Sequence, residues 1–275
     1  MRNRAGAALT TLFAVALTLA VAACTGARAG GGDPSATTRA RGSAAPATTA
    51  APSTRAPATH TTPATPAAKP KPAPKPAPEL RLGSRGAAVA ALQRRLLALG
   101  YQAPAADGQF GSETSHAVVA FQKVNRLSRD GVAGPVTLGA LTHPRLPSPR
   151  VRTNGFHVEA DLTPQVVYLV QDGRVTRVLD ASSGSGRAYS ENGDSGVAIT
   201  PLGNFQVQHK INGWHKSKLG LLYRPAFFDG GFALHGAPSV PPFPASHGCI
   251  RITIAAMDQL YDHLPVGTPV LVYRS

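Results

Sequence analysis

The chain has 275 residues, with 28 Lys and Arg against 14 Asp and Glu, for a formal net charge of +14. The excess is uneven: residues 1–79 carry +7, 80–150 carry +6 and 151–275 only +1, and 11 of the 25 prolines fall in residues 25–79. This distribution excludes a single compact globule and argues against nucleic-acid recognition, which places its basic surface on a folded domain.

The N-terminus reads as an export signal. Arg2 and Arg4 precede an apolar run from Ala5 to Ala23, which ends in Val21-Ala22-Ala23-Cys24. The small residues stop on a cysteine, and this pattern resembles the bacterial lipoprotein signal. The resemblance implies removal of residues 1–23, lipidation of Cys24, and anchoring to the outer face of the cell membrane. An uncleaved anchor or a plain secretory peptide stays open, because the run is nearly long enough to span a bilayer. Each reading exports the remainder. The chain has two cysteines, Cys24 and Cys249. If Cys24 carries lipid, no intrachain disulfide forms, and a free Cys249 in an exported protein needs a chemical or a packing reason.

Residues 24–79 are Ala, Thr, Pro, Ser and Gly with few large apolar side chains, ending in the Lys-Pro repeats from Lys69 to Pro78. Nothing there offsets the entropy of ordering, so the segment is expected to be a disordered, partly stiffened stalk. Residues 80–145 turn helical. Val89, Leu92, Leu96 and Leu99 fall on one stripe, with Gly100 as the stop. A second helix is expected over Ser112–Asn125, with Val118, Phe121 and Val124 on one face. A third starts at Pro135 and places Leu138 and Leu141 inside. A short repeat accompanies them: Asp107-Gly108-x-x-Gly111-x-x-Thr114 recurs as Asp130-Gly131-x-x-Gly134-x-x-Thr137. With Leu92-Gln93, Phe121-Gln122 and the turn glycines, the whole stretch resembles the three-helix peptidoglycan-binding domain. That resemblance implies docking on cell-wall glycan or stem peptide.

Residues 146–152 read as a linker. Residues 153–275 are short β-branched and aromatic runs broken by Gly, Asn, Asp and Pro, with a hairpin expected at Gln171-Asp172-Gly173. One helix is expected from Thr253 to Leu264, with Thr253 as its cap and Ile254, Met257, Leu260, Tyr261 and Leu264 inward.

Two segments concentrate chemistry: Ala233-Leu234-His235-Gly236 and Pro244-Ala245-Ser246-His247-Gly248-Cys249-Ile250-Arg251. A thiol nucleophile needs a base or cation beside it, and two histidines lie within 15 residues of the only downstream cysteine. Gly248 permits close backbone approach and can offer N–H groups to an oxyanion. Zinc ligation by His235, His247 and Cys249 is the alternative, although spaced Cys pairs and a fourth ligand are lacking. A buried inert cysteine is another.

The two segments together resemble the catalytic domain of the L,D-transpeptidases (the YkuD family). Supporting marks are Gln165-Val166-Val167-Tyr168-Leu169, Ser183-Gly184, Thr200-Pro201-Leu202-Gly203-Asn204-Phe205 and Gly267-Thr268-Pro269-Val270. The resemblance implies a mainly β fold, a mixed β-sandwich with one helix, beside the small all-α module. It implies Cys249 as nucleophile, His235 as base, the Gly236 carbonyl as orienter of His235, and His247 shaping the pocket. It further implies the Gly248 and Cys249 N–H groups as oxyanion donors, Ser246 holding the loop, Arg251 pairing with a carboxylate, and Tyr223 in a donor groove lined by Trp214–Phe228. No metal or organic cofactor is implied. The implied partners are peptidoglycan stem peptides and glycan, reached by a monomer anchored through its N-terminal lipid. The implied reaction attacks the bond after the third residue of a tetrapeptide stem, releases D-Ala and forms third-position cross-links. With water as acceptor the same chemistry is an L,D-carboxypeptidase. A non-catalytic wall-anchoring lipoprotein is a competing reading. So is an endopeptidase of the NlpC type, in which the Cys precedes its His rather than following it.

Overall fold

The computed structural model describes residues 79–275. The signal, Cys24 and residues 24–78 of the stalk lie outside the described residues. Among the described residues, no helix is long and apolar enough to cross a membrane.

Three helices come first: α1 (Ala87–Ala98), α2 (Ser112–Val124) and α3 (Pro135–Thr142). Gly100 ends the first at φ +82°, a conformation glycine adopts without steric cost. Leu141 is buried, whereas Leu138 is only half-buried. The repeated Asp-Gly turns have a cause beyond turn propensity. Buried Gln93 donates to Asp107 Oδ1, Gln109 O and Thr114 Oγ1 at 2.8–3.0 Å and accepts from Gly108 N at 2.9 Å. Buried Gln122 does the same with Asp130, Val132, Thr137 and Gly131. Each repeat is therefore a socket for one helix-borne amide, whose polar atoms must be satisfied once buried.

Twelve strands and one helix follow: β1 (Phe156–Asp161), β2 (Val166–Gln171), β3 (Arg174–Asp180), β4 (Ala188–Glu191), β5 (Asp194–Val197), β6 (Gly203–Gln206), β7 (His209–Lys210), β8 (Trp214–Ser217), β9 (Gly220–Asp229), β10 (Phe232–Ala237), β11 (Ile250–Thr253), α4 (Ile254–Leu260) and β12 (Pro269–Tyr273). One sheet runs β3-β2-β1-β12-β6 and a second runs β11-β10-β9-β7, with β8 paired to β9. The β2–β3 hairpin turns through Asp172 and Gly173, both at positive φ. The β4–β5 hairpin turns through Asn192-Gly193, also both at positive φ, a strong hairpin signal in the sequence. The Thr253 hydroxyl caps α4 by accepting from Ala256 N at 3.1 Å. The helix is shorter than expected: it ends at Leu260, passes into one 3-10 turn over Tyr261–His263, and leaves Ile254 half-buried.

The uninterrupted run Val166-Val167-Tyr168-Leu169-Val170 has a physical explanation. A strand with one wet face alternates, whereas one covered on both faces reads as continuously apolar. Val167 and Leu169 face a core shared with α4 and the second sheet. Val166, Tyr168 and Val170, with Val178 of β3, pack against Leu96, Tyr101, Val118 and Phe121 of the helices. The chain after α1 also pairs with the edge of β3, through Gln102 N to Val178 O at 3.0 Å and Val178 N to Gly100 O at 2.8 Å. Helices and strands belong to one compact unit. The segment 146–152 is accordingly not a free linker. The buried Glu159 carboxylate accepts the N–H groups of Arg150 and Val151, each at 2.8 Å.

Candidate active site

Strands β10 and β11 are parallel, with His235 in register with Arg251. Parallel neighbours need a long crossover. Here residues 238–249 make it, without a helix, and deliver Ser246-His247-Gly248-Cys249 to the start of β11. His235, Ser246, His247, Cys249 and Arg251 line one cavity of about 600 Å³.

His235 is 4% exposed. Its Nδ1 lies 2.9 Å from Gly236 O, an oxygen that only accepts, so Nδ1 carries the proton and Nε2 keeps a free lone pair in the neutral ring. Burial pushes its pKa down from 6.5 to about 4, against the upward pull of the Gly236 hydrogen bond and with a smaller push from Arg251. Burial also raises the Cys249 thiol, more than Arg251 lowers it. The resting pair is thus neutral imidazole and neutral thiol rather than an ion pair. The unfolded chain takes a proton on this histidine near pH 6.5, whereas the fold resists it until about pH 4. Stability is therefore lost as pH falls through that window, by about 3 kcal/mol. A pH series of thermal melts should show that loss reduced in His235→Gln, and the acid limb of kcat/KM should lie near 4 rather than 6.5.

The loop around Cys249 is fixed by small polar groups. The Ser246 hydroxyl donates to Cys249 O and accepts from Gly248 N at 3.0 Å. The Thr200 hydroxyl donates to Gly248 O at 2.7 Å and accepts from Gly184 N at 2.9 Å. These bonds give the Thr-Pro and Ser-Gly segments a job: they clamp the loop that carries Cys249. They also correct one expectation. The Gly248 N–H is already spent on Ser246 and is not available to an oxyanion. The Cys249 N–H has no acceptor among the described residues and is free for that role.

Residues 155–272 match the family described as "L,D-transpeptidase catalytic domain" (YkuD), and residues 85–141 match "Putative peptidoglycan binding domain". The crystal structure of the L,D-transpeptidase (residues 123–326) from Xylanimonas cellulosilytica is 46% identical, covering 74% of this chain and 100% of that one at a TM-score of 0.69. The chain belongs to the L,D-transpeptidase family. Among curated proteins, it is 37% identical over 94 residues to the N-acetylmuramoyl-L-alanine amidase CwlL of Bacillus licheniformis. It is 43% identical over 53 residues to the amidase CwlM of Mycobacterium tuberculosis. These matches span only 26% and 13% of those amidases.

The other residues singled out in the sequence of this L,D-transpeptidase sit as follows. His247 is wedged against the β4–β5 hairpin. Its Nε2 is 3.4 Å from Glu191 Oε2 and its ring stands edge-on to Tyr189 at 5.0 Å. At the hairpin tip, Asn192 donates to Lys218 O at 2.9 Å, which bridges the hairpin to the β8–β9 turn. Arg251 faces the cavity and forms no ion pair among the described residues. Tyr223 is a correction. It is absent from the cavity lining; its hydroxyl donates to Asp258 at 2.8 Å and its ring covers Gly236, where an added Cβ would meet Tyr223 Cδ1 at 3.0 Å. Tyr223 pairs with Gly236 across β9 and β10, and its bond to Asp258 turns it towards α4. From the expected groove segment it is Ser217–Leu222 and Phe227 that line the cavity, not Trp214. Among the described residues no group of three or more His, Cys, Asp or Glu is placed to hold a metal ion.

Proposed function

We propose that this L,D-transpeptidase forms third-position cross-links in peptidoglycan through a thioester on Cys249. The observation that carries the reading is the buried neutral His235, held in one tautomer by Gly236 O and sharing a cavity wall with Cys249. Cys249 Sγ attacks the carbonyl carbon of the third stem residue while His235 Nε2 takes the thiol proton. The developing oxyanion is met by the Cys249 N–H. On collapse the C–N bond breaks, His235 returns the proton to the leaving nitrogen, and D-Ala departs. An amine of a second stem then attacks the thioester, gives up a proton to His235, and the thiol is restored. At neutral pH the His235 ring is unprotonated, so Nε2 is open to accept that proton. Arg251, unpaired in a largely apolar cavity, receives a carboxylate of the stem. The helical module docks the enzyme on the wall, and the lipid on Cys24 holds it at the outer face of the membrane.

Incubation of the full chain with disaccharide-tetrapeptide, followed by mass analysis, tests the reaction. Loss of D-Ala with a cross-linked dimer is expected. Loss of D-Ala with tripeptide alone would replace transpeptidation by L,D-carboxypeptidation. No loss of D-Ala would leave wall anchoring as the function.

A further inference from the structure

One buried charge contributes nothing to the chemistry above. Lys123, on α2, is 1% exposed, an unusual place for an ammonium. All three of its N–H donors are used on the β domain: the Asp180 carboxylate, Gln165 O at 3.0 Å and Ala181 O at 2.8 Å. His116 of the same helix holds the other Asp180 oxygen at 2.7 Å. These contacts fall where β3 ends and the strap 181–185 begins.

The strap leads straight to the nucleophile loop. Ser182 exchanges both backbone hydrogen bonds with Arg251 at 2.9–3.0 Å, and its hydroxyl donates to Phe243 O at 2.7 Å. Ser183 O accepts from Ala245 N and Ser246 N, each at 2.9 Å, and Ser185 N donates to Ser246 O at 2.9 Å. Gln165, whose carbonyl Lys123 holds, grips Ser183 twice with its side-chain amide, at 2.7 and 2.8 Å. The backbone–backbone bonds that flank Cys249, at Ala245, Ser246 and Arg251, thus come from a strap whose root is tied to the helical module, while Gly248 itself is held by Thr200 and Ser246.

We infer that Lys123 is a positioning residue for Cys249, so that the helical module is part of the catalytic scaffold as well as a wall-docking element. The inference rests on Cys249 being the nucleophile proposed above. Lys123 touches no reacting atom. It fixes where the strap begins, and small displacements of a reacting group cost rate out of proportion to their size.

Removing Lys123 alone would strand a buried carboxylate, so Lys123→Met is a poor probe. The variant to make is the full chain with Lys123→Met and Asp180→Asn together, because replacing both charges of a buried pair is often tolerated. Asp180→Asn alone, which keeps the shape of the side chain, is the second variant. Thermal melts establish folding. In a folded variant kcat for D-Ala release from soluble disaccharide-tetrapeptide is expected to fall at least ten-fold with KM within two-fold. Iodoacetamide should modify Cys249, located by peptide mass, at least three-fold faster as the loop loosens. A folded double variant with kcat within two-fold of wild type, or with a loss confined to KM, overturns the inference. If wild type itself releases no D-Ala, the functional reading fails instead. The alkylation rates then decide the role of Lys123, and a folded variant modified at the wild-type rate overturns it.

Discussion

A fragment beginning at Ser148, which keeps every residue of the cavity, is expected not to fold. Cutting away the helices uncovers Val166, Tyr168, Val170 and Val178, which are between 0% and 6% exposed in the intact unit. Burying each such side chain is worth about 1.5–3 kcal/mol. The four together approach the roughly 5–15 kcal/mol that holds a whole domain folded. The same cut strips Lys123 and His116 from Asp180 and removes the chain that covers the edge of β3. A thermal scan should show no cooperative transition for the fragment at a temperature where residues 79–275 are fully folded. A fragment melting within about 10 °C of the longer chain would show that the helical module adds little, and would also weaken the role given to Lys123.

Gly248→Ala is expected to inactivate the enzyme by about two orders of magnitude or more in kcat while leaving it able to fold. Gly248 sits at φ +141°, where a side chain is strained, at a cost of about 1–3 kcal/mol. An added Cβ would stand 2.4 Å from Phe232 Cε1 and 3.0 Å from Ile199 O. Overpacking of this kind costs about 1–3 kcal/mol more. Phe232 lines the cavity, so a ring displaced towards it fills the space proposed for substrate. If the ring holds its place, the backbone must move, and it carries the Cys249 N–H and thiol with it. The Thr200 and Ser246 bonds to Gly248 resist that movement. D-Ala release within five-fold of wild type would contradict this reading of the loop.

How much of this could be read from the sequence differs by residue type. The cavity-lining set His235, Ser246, His247, Cys249 and Arg251 was legible because it falls in two short segments whose pattern is family-specific. The direction of the His235 tautomer was legible too, since the implied partner is the carbonyl of the next residue. Tyr223 was misplaced because the segment around it was read as one groove, whereas successive strand residues alternate between faces and the strand shifts register near Gly236. The free Gly248 N–H failed for a different reason. Which backbone donors are already satisfied depends on Ser246, two residues away, folding back on the loop. Lys123 was invisible: an isolated lysine on an amphipathic helix reads as solvated, and its partners lie 42 to 58 residues further on. The apolar continuity of β2, by contrast, was on the page as a sequence signal of a strand covered on both sides. The run alone does not name what covers the second face; here it is the helical module.

Trapping the acyl-enzyme tests directly whether Cys249 carries the acyl group. The full chain is mixed with disaccharide-tetrapeptide, quenched in acid within seconds, and its intact mass and peptide map are measured. A mass increase equal to the substrate less D-Ala is expected, carried on the Cys249 peptide, labile to hydroxylamine and absent from Cys249→Ala. Turnover persisting in Cys249→Ala, or an adduct on any other residue, would contradict it.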